Sequence, residues 1–91
     1  LKLNLDKDLL SLDGKPVDNG NMAKVLANTL ASTTQGSVFK FYDWAVKLWN
    51  EGEIEIDRSD KMLLMQFVES SMQLTILAKA QIMAEIDKLA E

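Results

Sequence analysis

Leu1, Leu3 and Leu5 alternate with Lys2, Asn4 and Asp6, the period-two pattern of a strand with one buried face. Leu10 and Leu12 repeat the alternation before Asp13-Gly14, a turn dipeptide in which glycine takes positive φ without steric cost. Lys15-Pro16-Val17 then returns as a short second strand. Pro16 has no N–H to donate, so this arm belongs at a sheet edge. Residues 1–18 therefore read as β structure with a hairpin around 9–17. An element this small needs a helical layer behind it.

The period changes after a loop at Asp18-Asn19-Gly20-Asn21, in which Asn19 or Asn21 can serve as an N-cap. Met22, Val25, Leu26, Thr29 and Leu30 share one helical face, predicting a first helix over 22–32, broken by Thr33-Thr34-Gln35-Gly36. Ser37 caps a second helix over 38–50, with an apolar stripe of Val38, Phe41, Tyr42, Ala45, Leu48 and Trp49. Gly52 follows at the position of a left-handed C-terminal cap. Glu53-Ile54-Glu55-Ile56-Asp57 alternates strictly and reads as a short strand or extended connector with both isoleucines inward.

Asp57 or Ser59 caps a third helix over 60–71, with Leu63, Leu64, Phe67 and Val68 inward. Thr75 caps a fourth over 76–90, its inner face marked by Leu77, Ala78, Gln81, Ile82, Glu85, Ile86 and Leu89. Leu74, just before that cap, can staple onto the helix. The predicted fold is a single α+β domain spanning residues 1–91. It is mostly helical, an N-terminal β-hairpin packed on a bundle of about four helices, with 53–57 as a further extended piece.

Composition changes this picture mainly by exclusion. The chain has 91 residues, 47% hydrophobic and 26% charged, enough for one modest core. It has neither cysteine nor histidine, which excludes disulfides, thiolate or imidazole metal sites, a Ser-His-Asp triad and a cysteine nucleophile. No phosphate-binding glycine loop or acyl-transfer motif is present, so the chain reads as non-enzymatic, with no cofactor and no small-molecule substrate. Lysines are spread evenly without an arginine cluster, and the net charge is −4, which argues against nucleic-acid binding. The longest apolar run, Met62-Leu63-Leu64-Met65, is far short of a membrane span, and Asp6 and Asp8 near the N-terminus are unlike a signal peptide.

Two surface features remain. Residues 51–60 hold Glu51, Glu53, Glu55, Asp57 and Asp60 against Arg58 alone, and so carry the whole net charge. If extended, Glu51, Glu53, Glu55 and Asp57 project from one side, as a divalent-cation site, as a docking face for a basic partner or as a solvated edge that discourages strand aggregation. The second feature is a surplus of large apolar residues. The second helix holds five of the six aromatic residues, more than one face can bury. Phe39 and Trp44 fall off its stripe, and Met62 and Met65 fall off the inward face of the third helix. Either the second helix is a central pillar, or these residues meet a protein partner, a second copy of the chain included.

The order of the segments also carries a resemblance. Leu1-x-Leu3-x-Leu5 precedes Leu10-x-Leu12-Asp13-Gly14-Lys15-Pro16-Val17 and then Lys24-Val25-Leu26-Ala27-Asn28-x-Leu30-Ala31. Phe41-x-x-Trp44-Ala45-x-Lys47-Leu48-Trp49 follows, then the acidic piece and Leu74-Thr75-x-Leu77-x-Lys79-Ala80-Gln81-Ile82. This series resembles a family of small proteins of about this length encoded by tailed bacteriophages and prophages, of unknown function and often found near virion genes. The resemblance implies an accessory protein of virion or tail assembly that acts by protein–protein contact, located in the bacterial host cytoplasm or in the virion. It supplies no catalytic residue. The residues themselves leave an alternative open: a small acidic regulator that binds a basic host or phage protein through 51–60.

Overall fold

A computed structural model of the chain describes residues 1–34 and 36–89. Its elements are β1 Lys2–Asn4, β2 Asp8–Leu10, β3 Pro16–Asn21, α1 Met22–Ser32, α2 Val38–Glu51, β4 Glu53–Glu55, α3 Arg58–Ser70 and α4 Ile76–Asp87. The predicted α+β class is the observed one, with helices dominant and the strands short.

Helix boundaries follow side-chain chemistry. Asn21 is the cap of α1, accepting from the Lys24 N–H, and Asn19 is not. Asp57 caps α3 through a reciprocal box with Asp60, so the helix starts at Arg58, two residues earlier than the pattern predicts. Thr75 caps α4 by accepting from the Ala78 N–H, with Leu74 buried behind it. Ser37 stands at the head of α2 but makes no side-chain cap bond. Helix α4 ends at Asp87, short of the predicted 90, and position 90, like Gln35, lies outside the described residues.

The strands correct the expected layout. Two separate antiparallel pairs form, β1 with β4 and β2 with β3. Residues 53–55 are a strand, as their alternation predicts, but they pair with β1 and not with the hairpin: Leu3 faces Ile54, and Lys2 and Asn4 face Glu55 and Glu53. Asp18–Asn21, predicted as loop, completes β3. The ladder runs from Leu10 opposite Pro16 to Asp8 opposite Asn21, so β3 carries extra residues in a bulge. Asn19 has positive φ there, and a Cβ on Gly20 would lie 2.8 Å from the Val17 carbonyl oxygen, so the bulge requires glycine.

Leu5 joins these pieces. Its N–H donates to the Gly52 carbonyl at 2.8 Å, and its carbonyl accepts from the Ala23 N–H at 3.0 Å. One buried residue thereby ties the start of α1 to the end of α2. The core below is continuous: Leu3, Leu5, Leu26, Leu48, Leu64, Val68, Ile82 and Ile86 are all fully buried. Thr29, the buried polar residue among them, donates its hydroxyl to the Val25 carbonyl at 2.9 Å, so its burial leaves no unmet donor. On α4 the two polar residues of the inner face reach the N-terminal segment. The Gln81 side chain brackets the Leu10 backbone, accepting from its N–H at 2.8 Å and donating to its carbonyl at 2.6 Å. Glu85 accepts from Lys7 at 2.7 Å and from Lys88 at 2.8 Å.

The ion pairs give stability a pH dependence. The Lys7 ammonium, and then Lys88, hold the Glu85 carboxyl below the usual range. The Lys40 ammonium, 2.6 Å away, does the same for Asp60 and links α2 to α3. Both carboxyls have folded pKa values depressed relative to the unfolded chain. Their contribution is therefore complete above the ordinary carboxylate range and is lost as pH falls through the depressed values. Thermal melts from neutral pH downward are expected to show a falling Tm in the acid range. The Glu85→Gln, Asp60→Asn double variant is expected to flatten that fall, and an unchanged profile would count against both pairs.

Candidate functional site

Helix α2 sets the unusual surface of this domain. At roughly 100° per residue, its apolar side chains cover an arc of about 220°. Trp44, Leu48, Phe41 and Ala45 occupy one half of the arc and are buried. Phe41 stacks on Trp44 with ring centroids 5.8 Å apart and meets the edge of Phe67 of α3 at 5.1 Å. The other half holds Val38, Trp49, Tyr42, Val46 and Phe39, in that order around the helix. These are 75%, 48%, 69%, 40% and 88% exposed.

This partition corrects the predicted one. Trp44 was expected among the partner-facing residues, but it is 4% exposed and belongs to the core. Val38, Tyr42 and Trp49 were expected inward and lie outside. The physical reason is the aromatic cluster. Phe67 approaches α2 from α3, and only the Phe41–Trp44 side of the helix can meet it. Phe39 lies at the surface. Met62 of α3 is also exposed, whereas Met65 is half-buried and packs against the core.

Beside the exposed stripe, the small residues Ala27 and Ala31 of α1 leave a shallow hollow of about 220 Å³, walled by Tyr42, Val46 and Trp49. The Lys24 ammonium lies 5.1 Å from the centroid of the Trp49 ring and steadies it against α1. Met62 and Met65 do not line this hollow. The total accessible surface, 5812 Å², is about a tenth above the value expected for a chain of this mass.

The acidic segment does not form the single row predicted for it. Glu51 is the last residue of α2, because the helix runs one residue past Asn50 before Gly52 ends it in the left-handed conformation. Asp57 is occupied as the cap of α3. Glu53 and Glu55 share one face of β4, with Lys2 3.6 Å from Glu53. Asp60 is held by Lys40. Most of the charge is thus locally compensated. Among the described residues, no group of three or more carboxylates is placed to hold a metal ion, and no helix is long and apolar enough to cross a membrane.

Comparison with protein-family models, with curated proteins and with solved structures gives no match. The exposed stripe was present in the sequence as the spacing Phe39, Tyr42, Val46, Trp49. Its buried neighbours have the same periodicity, and that masked it.

Proposed function

We propose that this chain is a non-enzymatic accessory protein that works through protein–protein contact, and that the exposed face of α2 is its contact surface. One observation carries the reading. Five large apolar side chains form a contiguous stripe on one helix, whereas the other exposed large apolar residues, Leu10, Leu12, Met62, Met72 and Ile76, are scattered over other elements. Weighted by exposure, they present roughly 600 Å², the upper end of the largest patch on an ordinary monomer. Tyr and Trp, which anchor the stripe, are the side chains most often dominant in interfaces. The segment-by-segment resemblance to small tailed-phage proteins supports virion or tail assembly as the setting, in the host cytoplasm or the particle. The acidic segment supports the regulator reading less well, because its carboxylates are engaged by caps and lysines within the domain.

The test is cross-linking in phage-producing cells, with tagged wild-type chain and the Val46→Asp variant as baits. The expected result is enrichment of a phage structural protein by the wild type and its loss with the variant. No enrichment of such a protein, or enrichment that the variant leaves unchanged, would overturn the assignment.

A further inference from the structure

We propose that the α2 face pairs with a second copy of itself, two α2 helices meeting antiparallel across a twofold axis at the level of residue 44. The inference rests on the contact reading above and gives the same face a second copy as its occupant when no assembly partner covers it. Phe39, Tyr42, Val46 and Trp49 are spaced three, four and three residues apart, the alternation that two packed helices share at their seam. The spacing reads the same in both directions. Reversing one helix sets Phe39 against Trp49 of the second copy and Tyr42 against Val46, and it does so twice, as a twofold interface requires. Around the helix, Trp49 and Tyr42 lie to one side of the seam and Phe39 and Val46 to the other. Opposed residues therefore interdigitate instead of colliding.

Area and charge agree with this occupant. Two faces of roughly 600 Å², if covered completely, bury at most about 1,200 Å², the lower bound of a specific interface. Asp43 flanks the seam and is already paired with Lys47 at 3.2 Å, so apposing two copies brings together no unpaired like charges. The macrodipoles of antiparallel helices also oppose one another favourably. Area does not fix affinity, and the dimer is expected to form at or below about 1 mM.

The experiment is sedimentation equilibrium of the full chain from about 1 µM to about 1 mM. A monomer–dimer equilibrium is expected for the wild type, and monomer throughout for Val46→Asp and for Tyr42→Lys. Circular dichroism shows whether each variant is folded, and one folded variant suffices. Spin labels at Asp43→Cys and Asn50→Cys then read the direction of pairing. The label at 43, near the axis, is expected to give the shorter intermolecular distance by at least about 10 Å, from the rise of 1.5 Å per residue. A wild type that is monomeric at 1 mM overturns the proposal, as does a dimer that both folded variants retain. Equal distances from the two labels overturn the antiparallel pairing. A monomeric wild type that still loses a phage partner on Val46→Asp would remove self-pairing and leave the contact reading standing.

Discussion

Replacing Trp44 by alanine is expected to cost about 3–5 kcal/mol of folding stability, while Phe39→Ala changes it by less than about 0.5 kcal/mol. The two residues sit five positions apart on one helix and are chemically alike, so the contrast isolates burial. Trp44 is enclosed, stacks on Phe41 at 5.8 Å and lies under the Lys40 ammonium at 5.9 Å. Truncation removes the ring and leaves a cavity whose lining also holds Phe41 in place against Phe67. Phe39 is almost fully exposed and its removal leaves no cavity. Urea unfolding reads both: the midpoint of Trp44→Ala is expected to fall steeply with little change in slope. Comparable losses at the two positions would mean that the division of α2 into buried and open halves is wrong.

The second large effect is expected at Gly52. This residue ends α2 with φ of 77°, its N–H donating to the Leu48 carbonyl at 3.1 Å. A Cβ there would lie 2.6 Å from the Cβ of Asp6, on the segment that Leu5 anchors. Gly52→Ala therefore meets both the left-handed penalty of about 1–2 kcal/mol and a contact that neither backbone can relieve without moving. The expected loss is about 2–3 kcal/mol. Gly14→Ala is the internal control. Its φ is 84°, but nothing lies within 4 Å of the added carbon, so only the conformational part is expected. If the two variants melt alike, the close approach of Asp6 is not a constraint.

Much of this architecture was legible in the sequence, and the reasons for the exceptions are specific. Helix starts at Met22 and Ile76 and the stop at Gly52 were readable because local chemistry marks them: a side-chain oxygen meets a free N–H, and glycine takes a left-handed turn. The inner face of α4, including Gln81 and Glu85, was readable because those polar residues sit among apolar ones at helical spacing. Strand pairing was not. The partner of Leu3 is Ile54, and no local pattern connects residues so far apart. The open face of α2 was hidden for a different reason. An apolar arc wider than half the helix has no single inward direction, and α1 and α3 decide which part they cover. The acidic row failed because it assumed an extended chain at Glu51, where the helix in fact continues.

The pairing of β1 with β4 has a consequence for the order in which the chain acquires structure. Helices α1 and α2 are neighbours in sequence and need only a short connection to meet, so their contacts can form early. Strand β1 is made before α1 and α2, yet its ladder cannot close until Glu55 has emerged, and the Leu10 backbone waits longer still for Gln81. This leucine-rich segment thus waits through the synthesis of α1 and α2 without its partners. Lys2, Asn4, Asp6, Lys7 and Asp8, interleaved among those leucines, keep it soluble in that interval.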